Sequence, residues 1–320
     1  MSEPDVLIHH SVRGTHWMNA ASLREEILER EPSVNVTFAR TAEEAAAVAP
    51  DVDVLLSSFI EPWLLEEMSS LQWIQALSAG VDTLDVAAVE ERGILLTSGA
   101  GAHAQPAAEQ ILGYMLTFER RFREAFENQR RGAWERYRAG ELAGKTLGVI
   151  GLGEIGRRAA ELADAVGMEV VGTKRDTSVE IDAVDRLYEP ESLGELLVDS
   201  EYVLVSCPLT EETRGMLGRD EIGSMRDDAV LINVARGEIV DEAAMTEALQ
   251  QRTIRGAALD VFEEEPLEAD SPLWNLSNVI VTPHNLGSSP KLPARIAEIF
   301  VENYEAFLEG DPERMRNRVR

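Results

Sequence analysis

Short apolar, β-branched runs alternate with segments of helical period along most of the chain. In the first hundred residues "DVLIHH", "VNVTF", "DVLLSS", "WIQAL" and "ILLT" predict strands. Between them "NAASLREEILER", "AEEAAAV", "PWLLEEM" and "LDVAAVEERG" predict helices. From Gln105, "QPAAEQILGYMLTFERRFREAF" predicts one long amphipathic helix, in which Phe118, Phe122 and Phe126 recur every fourth residue as a core or subunit-contact stripe. After "GELAGKT" the alternation restarts with "TLGVIG", "MEVVGT", "EYVLVS", "AVLINV", "GAALDV" and "NVIVTPH", six strands with helices between them. One further helix, "PARIAEIFVENYEAFLEG", and a charged tail are too short to fold alone. The predicted fold class is α/β: two doubly wound parallel-sheet domains, with a Rossmann nucleotide domain (101–286) inserted into a discontinuous flavodoxin-like substrate domain (1–100 and 287–320). No repeat of solenoid period is evident.

Charge narrows the partners. With 58 acidic and 30 basic residues the formal charge is −28, so phosphate-rich partners, nucleic acid or an anionic membrane surface, are repelled. Lysine occurs only at Lys145, Lys174 and Lys291, leaving 27 of the 30 basic residues as arginine. Such a surface serves solubility in general, or adaptation to molar salt in particular, and the second reading is favoured. No apolar run is long enough to span a bilayer, and the opening "MSEPDVLIHH" lacks the pattern of a secretory signal. A single cysteine, Cys207, fits a reducing compartment. The expectation is a cytoplasmic globular protein.

"GLGEIG", Gly151 to Gly156, follows a strand and opens a helix, the context that G-x-G-x-x-G requires. Gly151 permits the turn, Gly153 lets backbone amides approach a pyrophosphate, and Gly156 allows close helix–strand packing; Leu152, Glu154 and Ile155 complete the loop. Eighteen residues beyond Gly156, where NAD enzymes place a carboxylate on the ribose, stands Lys174, flanked by Thr173 and Arg175. A Lys–Arg pair would bind the 2′-phosphate that a carboxylate repels, so NADP(H) is the preferred cofactor. Asp176, Thr177 and Ser178 keep NAD(H) possible.

Arg236, Asp260, Glu265 and His284 follow later strands of the same domain, at the edge where open α/β sheets bind ligands. Singly, each has a structural alternative: a strand cap, one of three adjacent glutamates, or a histidine bonded to a buried carbonyl.

Here the sequence resembles the D-isomer-specific 2-hydroxyacid dehydrogenases over nearly its whole length. The resemblance rests on "SAGVD", "HAQPAAE", "ELAGKTLGVIGLGEIG", "SCPLTEETRGML", "MRDDAVLINVARGEIVDEAAMTEAL", "GAALDVFEEEPL" and "VTPH", in that order. It implies NAD(P)H-dependent reduction of a short 2-oxo acid to the D-2-hydroxy acid. Arg236 would grip the substrate, and backbone amides of Ala79, Gly80 and Val81 would hold its carboxylate from the first domain. His284 would protonate the carbonyl oxygen, and Glu265 would pair with His284 and favour its charged form. Asp260 would orient the nicotinamide carboxamide, and Cys207 and Pro208 would shape the cofactor wall. Thr213, Val234, Ala235 and Gly287 complete the implied cofactor contacts, and Phe59 is a candidate wall of the side-chain pocket. No metal is expected.

Cys207 reads as a packing residue, and His103 as either a structural residue or one bordering the site. Lys174 and Arg175 resemble the NADP-linked glyoxylate/hydroxypyruvate reductase branch, Glu265 departs from the formate dehydrogenase branch, and the composition resembles haloarchaeal members. No Tyr-x-x-x-Lys occurs, which excludes the short-chain dehydrogenases. The resemblance also implies a homodimer, and it leaves one reading of another class: a nucleotide-sensing, protein-binding regulator without turnover.

Overall fold

The computed structural model describes residues 3–12, 18–81, 84–175 and 177–319. Two compact units emerge, Met1–His103 with Gly287–Arg320, and Ala104–Leu286. In the first, strands β1 (Asp5–Ile8), β2 (Asn35–Phe38), β3 (Val54–Ser57), β4 (Trp73–Ala76) and β5 (Leu95–Thr97) form a wholly parallel sheet of order β2-β1-β3-β4-β5. Helices α1 (Ala20–Arg30), α2 (Ala42–Val48), α3 (Pro62–Glu67) and α4 (Val86–Glu91) make the crossovers. β3 and β4 are buried along their whole length, which is why they read as unbroken apolar runs rather than alternating ones. Helix starts are set locally: the Asn19 side chain accepts from the Ser22 amide at 2.9 Å, and Thr41 Oγ1 accepts from the Glu44 amide at 3.1 Å.

The second unit opens with α5 (Ala104–Glu119) and α6 (Phe122–Arg131). The sequence predicts one helix here; the structure breaks it at Arg121, which adopts φ 53°. The cause is tertiary. The buried Glu119 carboxylate accepts from Tyr202 Oη at 2.7 Å and Arg255 Nη1 at 3.1 Å, and Arg255 Nη2 donates to the carbonyl of Phe118 at 2.8 Å. Pinned in this way, the end of α5 cannot continue straight. The phenylalanine stripe divides with it: Phe118 packs on the core, while Phe122 and Phe126 are exposed on α6.

Strands β6 (Thr146–Ile150), β7 (Glu169–Thr173), β8 (Arg186–Tyr188), β9 (Tyr202–Val205), β10 (Val230–Asn233), β11 (Gly256–Leu259) and β12 (Val279–Val281) form a parallel sheet of order β12-β11-β10-β9-β6-β7-β8. The intervening helices are α7 (Glu154–Ala165), α8 (Leu193–Asp199), α9 (Arg219–Ser224) and α10 (Glu242–Gln251). The sequence predicts six strands; the seventh, β8, is the correction. Its three residues carry no period of their own, and they are ordered by pairing with β7 and by the Tyr188 hydroxyl donating to Asp199 at 2.8 Å. Consecutive strands diverge from β6 in opposite directions, so the β6–β9 boundary is the topological switch point.

The chain then returns to the first unit. α11 (Leu292–Leu308) shares a core with Leu23 and Ile27 of α1, and Phe300 stacks on Trp73 with ring centroids 5.3 Å apart. The Val319 amide donates to Leu96 O at 2.9 Å, so the tail closes onto β5.

Candidate active site

Three loops at the carboxyl edge of the larger sheet carry the charged residues. Arg236 follows β10 in extended backbone (φ −143°, ψ 144°), and its loop is clamped by Asn233, whose side chain accepts from the Ala235 amide (3.2 Å) and donates to Arg236 O (3.0 Å). Arg236 Nη1 donates to Ala235 O at 2.7 Å. Gly237 is required here, because any Cβ would overlap the backbone of Phe262 and Glu263. That close approach presses the Arg236 loop against the loop bearing Glu265.

Asp260 immediately follows β11 and is buried at 1% exposure. One carboxylate oxygen accepts from the Asn285 amide (3.0 Å) and from Thr282 Oγ1 (2.5 Å), the other from the Leu286 amide (2.9 Å). Its carbonyl accepts from the His284 amide at 2.8 Å. This charge-assisted cluster holds His284 at φ 47°, a backbone conformation a residue with Cβ seldom adopts. His284 Nδ1 then lies 2.8 Å from Glu265 Oε2, while Glu265 Oε1 accepts from the Phe262 amide at 3.2 Å. The pair is open on one side, with 48% of the His284 side chain and 35% of the Glu265 side chain accessible. A histidine fixed through Nδ1 and accessible elsewhere can pass a proton through Nε2.

The glycine loop connects β6 to α7 across the switch point. At Gly151 (φ 98°) a Cβ would stand 2.6 Å from the Cys207 backbone, and at Gly156 it would overlap Gly151 O. At Gly153 nothing lies within 4 Å of the position a Cβ would take, and no side chain caps α7. Gly151 and Gly156 are therefore needed to close the loop, and Gly153 leaves open space over uncapped helix amides. That cradle fits the pyrophosphate of a dinucleotide. Ser206 Oγ donates to Gly151 O at 2.7 Å and braces the turn.

Around this loop Leu152 and Thr173 are buried, and the Leu152 side chain packs against Gly172. Lys174 is half-buried and Arg175 exposed at the end of β7. The Glu212 carboxyl is held below its usual range, chiefly by the Thr210 hydroxyl and its own amide and in smaller part by the Arg175 charge, which brings Arg175 within electrostatic reach of the loop after β9. In that loop Thr213 Oγ1 donates to Pro208 O at 2.7 Å. Burial pushes the Cys207 thiol up to about 11, so it stays protonated and unreactive near neutrality. Val234, just after β10, is buried.

In the first unit, Ala79, Gly80 and Val81 form the loop after β4, where Ser78 Oγ donates to Gly80 O at 2.6 Å. Phe59, after β3, is 43% exposed. His103 Nε2 and Nδ1 lie 3.3 Å from Leu77 O and Gly287 O, a structural setting within that unit. Asp82 and Asp176 lie outside the described residues.

Thr282, Asn233 and Ser206 escape the sequence reading although each sits within three residues of a residue it singles out. Gln110 and Tyr114, which reach the Asp260–Thr282 cluster from α5, leave no local signal at all; Tyr114 Oη lies 2.5 Å from Thr282 Oγ1.

Residues 112–285 match the model of the D-isomer specific 2-hydroxyacid dehydrogenase NAD-binding domain. The chain belongs to that family. It is 36% identical over 289 residues to the glyoxylate reductase of Aeropyrum pernix, covering 88% of this chain and 85% of that protein. It is also 36% identical over 291 residues to the D-3-phosphoglycerate dehydrogenase of Methanocaldococcus jannaschii, covering 89% of this chain but about half (55%) of that longer protein. A D-isomer specific 2-hydroxyacid dehydrogenase from Xanthobacter autotrophicus Py2, solved in complex with NADPH and MES, superposes with a TM-score of 0.85 at 30% identity, over 99% of this chain and 98% of that one. Among the described residues no helix is long and apolar enough to cross a membrane.

Proposed function

We propose that this protein reduces a short 2-oxo acid to the D-2-hydroxy acid at the expense of NADPH. The observation that carries the reading is the His284–Glu265 pair at 2.8 Å, set by the Asp260 cluster on the same sheet edge as Arg236 and the glycine cradle. A bound nicotinamide cofactor supplies the hydride. Arg236 binds the carboxylate and carbonyl oxygens of the substrate and polarises the carbonyl. His284 Nε2 gives its proton to the carbonyl oxygen as the carbon gains the hydride, and Glu265 holds the ring in the orientation this needs. In the reverse direction His284 takes the proton back. Ala79, Gly80, Val81 and Phe59 are the proposed substrate contacts of the first unit. Gly151–Gly156, Thr173, Cys207, Pro208, Thr213, Val234, Ala235, Asp260 and Gly287 are proposed to line the cofactor, with Lys174 and Arg175 on its 2′-phosphate.

Glyoxylate and hydroxypyruvate are the first substrates to try, given the reductases among its relatives. We further propose a cytoplasmic homodimer adapted to high salt, supported by the charge of −28, the scarcity of lysine and the exposed aromatics of α6.

Oxidation of NADPH and NADH is followed with glyoxylate, hydroxypyruvate, pyruvate and 2-oxoisocaproate at low and molar KCl. Turnover is expected, faster with NADPH, and His284→Ala should lower kcat by about 100-fold or more while nucleotide binding persists. Nucleotide bound without turnover on any 2-oxo acid would replace the enzyme by a nucleotide-sensing protein.

A further inference from the structure

A second cluster of ionisable side chains lies in the first unit, at the carboxyl ends of β1 and β3. These two strands flank that sheet's own switch point, since β2 lies on one side of β1 while β3, β4 and β5 lie on the other. His9 and His10 follow β1, and Glu61 precedes α3. His9 Nε2 lies 3.1 Å from Glu61 Oε2, and His10 Nε2 lies 3.0 Å from Glu61 Oε1. The two imidazoles are 4.0 Å apart between centroids. One ligand atom from each residue can be chosen so that all three lie within 4.8 Å of one another.

Hydrogen bonding leaves this cluster incomplete. His9 is fully buried, yet its Nε2 has no hydrogen-bond partner, and neither do the buried Glu61 Oε2 and His10 Nδ1. The close N···O approaches therefore lack the angles of hydrogen bonds, and a buried polar atom left in this state is costly. Lone pairs converging from two imidazoles and a carboxylate are satisfied together by a cation at about 2.0–2.2 Å from each, which sets the ligand atoms a little over 3 Å apart.

The surroundings orient the first ligand's ring. His9 Nδ1 lies 2.9 Å from Ser11 Oγ and 3.2 Å from the Ser11 amide, and Ser11 Oγ lies 3.3 Å from Ser57 Oγ. With its Nδ1 proton given to the Ser11 hydroxyl, His9 presents the Nε2 lone pair to the cluster; with the Ser11 amide donating to Nδ1 instead, Nε2 carries the proton towards Glu61. Ser11 thus serves both tautomers, and a partner of this kind behind a ligating histidine orients the ring. Phe59 makes T-shaped contacts with His9 at 5.7 Å and His10 at 6.4 Å, an apolar neighbour to the cluster.

We infer that His9, His10 and Glu61 bind a divalent transition-metal ion of the zinc class. Two imidazole nitrogens select such ions over magnesium or calcium, which take oxygen ligands. The ion ties the end of β1 to the start of α3. A three-ligand site leaves a fourth position for water or another donor. The cluster was illegible in the sequence because Glu61 lies some fifty residues from the histidine pair, and only the pairing of β1 with β3 joins them.

The protein, stripped with chelator, is titrated with Zn²⁺ and with Co²⁺ in excess Mg²⁺, which occupies the acidic surface. The expected result is one equivalent of bound metal, with the visible spectrum of Co²⁺ in a low-symmetry nitrogen–oxygen site. Glu61→Gln and His10→Gln should each reduce binding to background, while His284→Ala, at a separate histidine–glutamate pair, should not. Far-UV circular dichroism confirms that the variants remain folded, and if His10→Gln unfolds, Glu61→Gln alone decides. Wild-type protein that binds no Zn²⁺ or Co²⁺ above background overturns the inference. So does a site retained in Glu61→Gln, or one emptied by Mg²⁺.

Discussion

At the residue scale, the proposed preference for NADPH rests on two side chains. Lys174 and Arg175 stand at the end of β7 where a ribose-binding carboxylate would exclude a 2′-phosphate. Each charge-assisted bond to phosphate contributes about 1.5–3 kcal/mol. Replacing the pair by Lys174→Asp and Arg175→Ala should therefore lower the NADPH-over-NADH ratio of kcat/KM by at least about tenfold, with kcat for NADH retained. A ratio that does not move would assign the pair to the solvated surface. The residues of the proposed catalytic set are legible in sequence because each lies in a loop that follows a strand and the proposed chemistry demands its type. Their supports are not: Thr282, Gln110 and Tyr114 matter only through the Asp260 cluster, and α5 and β12 become neighbours only in the folded chain.

At the element scale, the three glycines of the β6–α7 turn do different work and can be separated. Gly156→Ala drives a methyl group into the carbonyl of Gly151, so stability should fall by about 1–3 kcal/mol or more in thermal or denaturant unfolding. Gly153→Ala meets nothing within 4 Å. Its Tm without nucleotide should match the parent, while the Kd for NADPH should rise about tenfold or more in a fluorescence titration, because the methyl group occupies the space over the helix amides. Equal loss of nucleotide affinity without any stability difference between the two variants would refute this division. The broken α5–α6 helix belongs to this scale as well. Its apolar period runs on through Phe122 and Phe126, but Glu119 is committed to Tyr202 and Arg255, and a buried carboxylate held by both partners outweighs the propensity of a few residues.

At the scale of the whole molecule, a charge of −28 opposes compaction until salt screens it. The screening length contracts from about 10 Å at 0.1 M to about 3 Å at 1 M, so Tm and turnover should both rise from low to molar KCl. A Tm that falls or stays level would reduce the acidity to a solubilising surface. Exposed Phe122, Phe126 and Trp134, the last 95% accessible, give a second copy of the chain an apolar surface to bury. Sedimentation should report a dimer, and Trp134→Ser with Phe126→Ser should shift it towards monomer; a parent that sediments only as monomer ends the dimer proposal.

The sequence by itself determined the order of most strands and helices, the glycine turn, and the place of Arg236, Glu265 and His284 in loops after strands of one sheet. Those features depend on local period, on a backbone only glycine can adopt, and on chemistry that admits few residue types. Tertiary structure alone decided the short edge strand β8, the end of α5 at Arg121, the buried cluster that sets the backbone of His284, and the meeting of His9 and His10 with Glu61. Each of these depends on parallel pairing or on a buried charge that joins residues far apart in the chain, and no local pattern records such a neighbour.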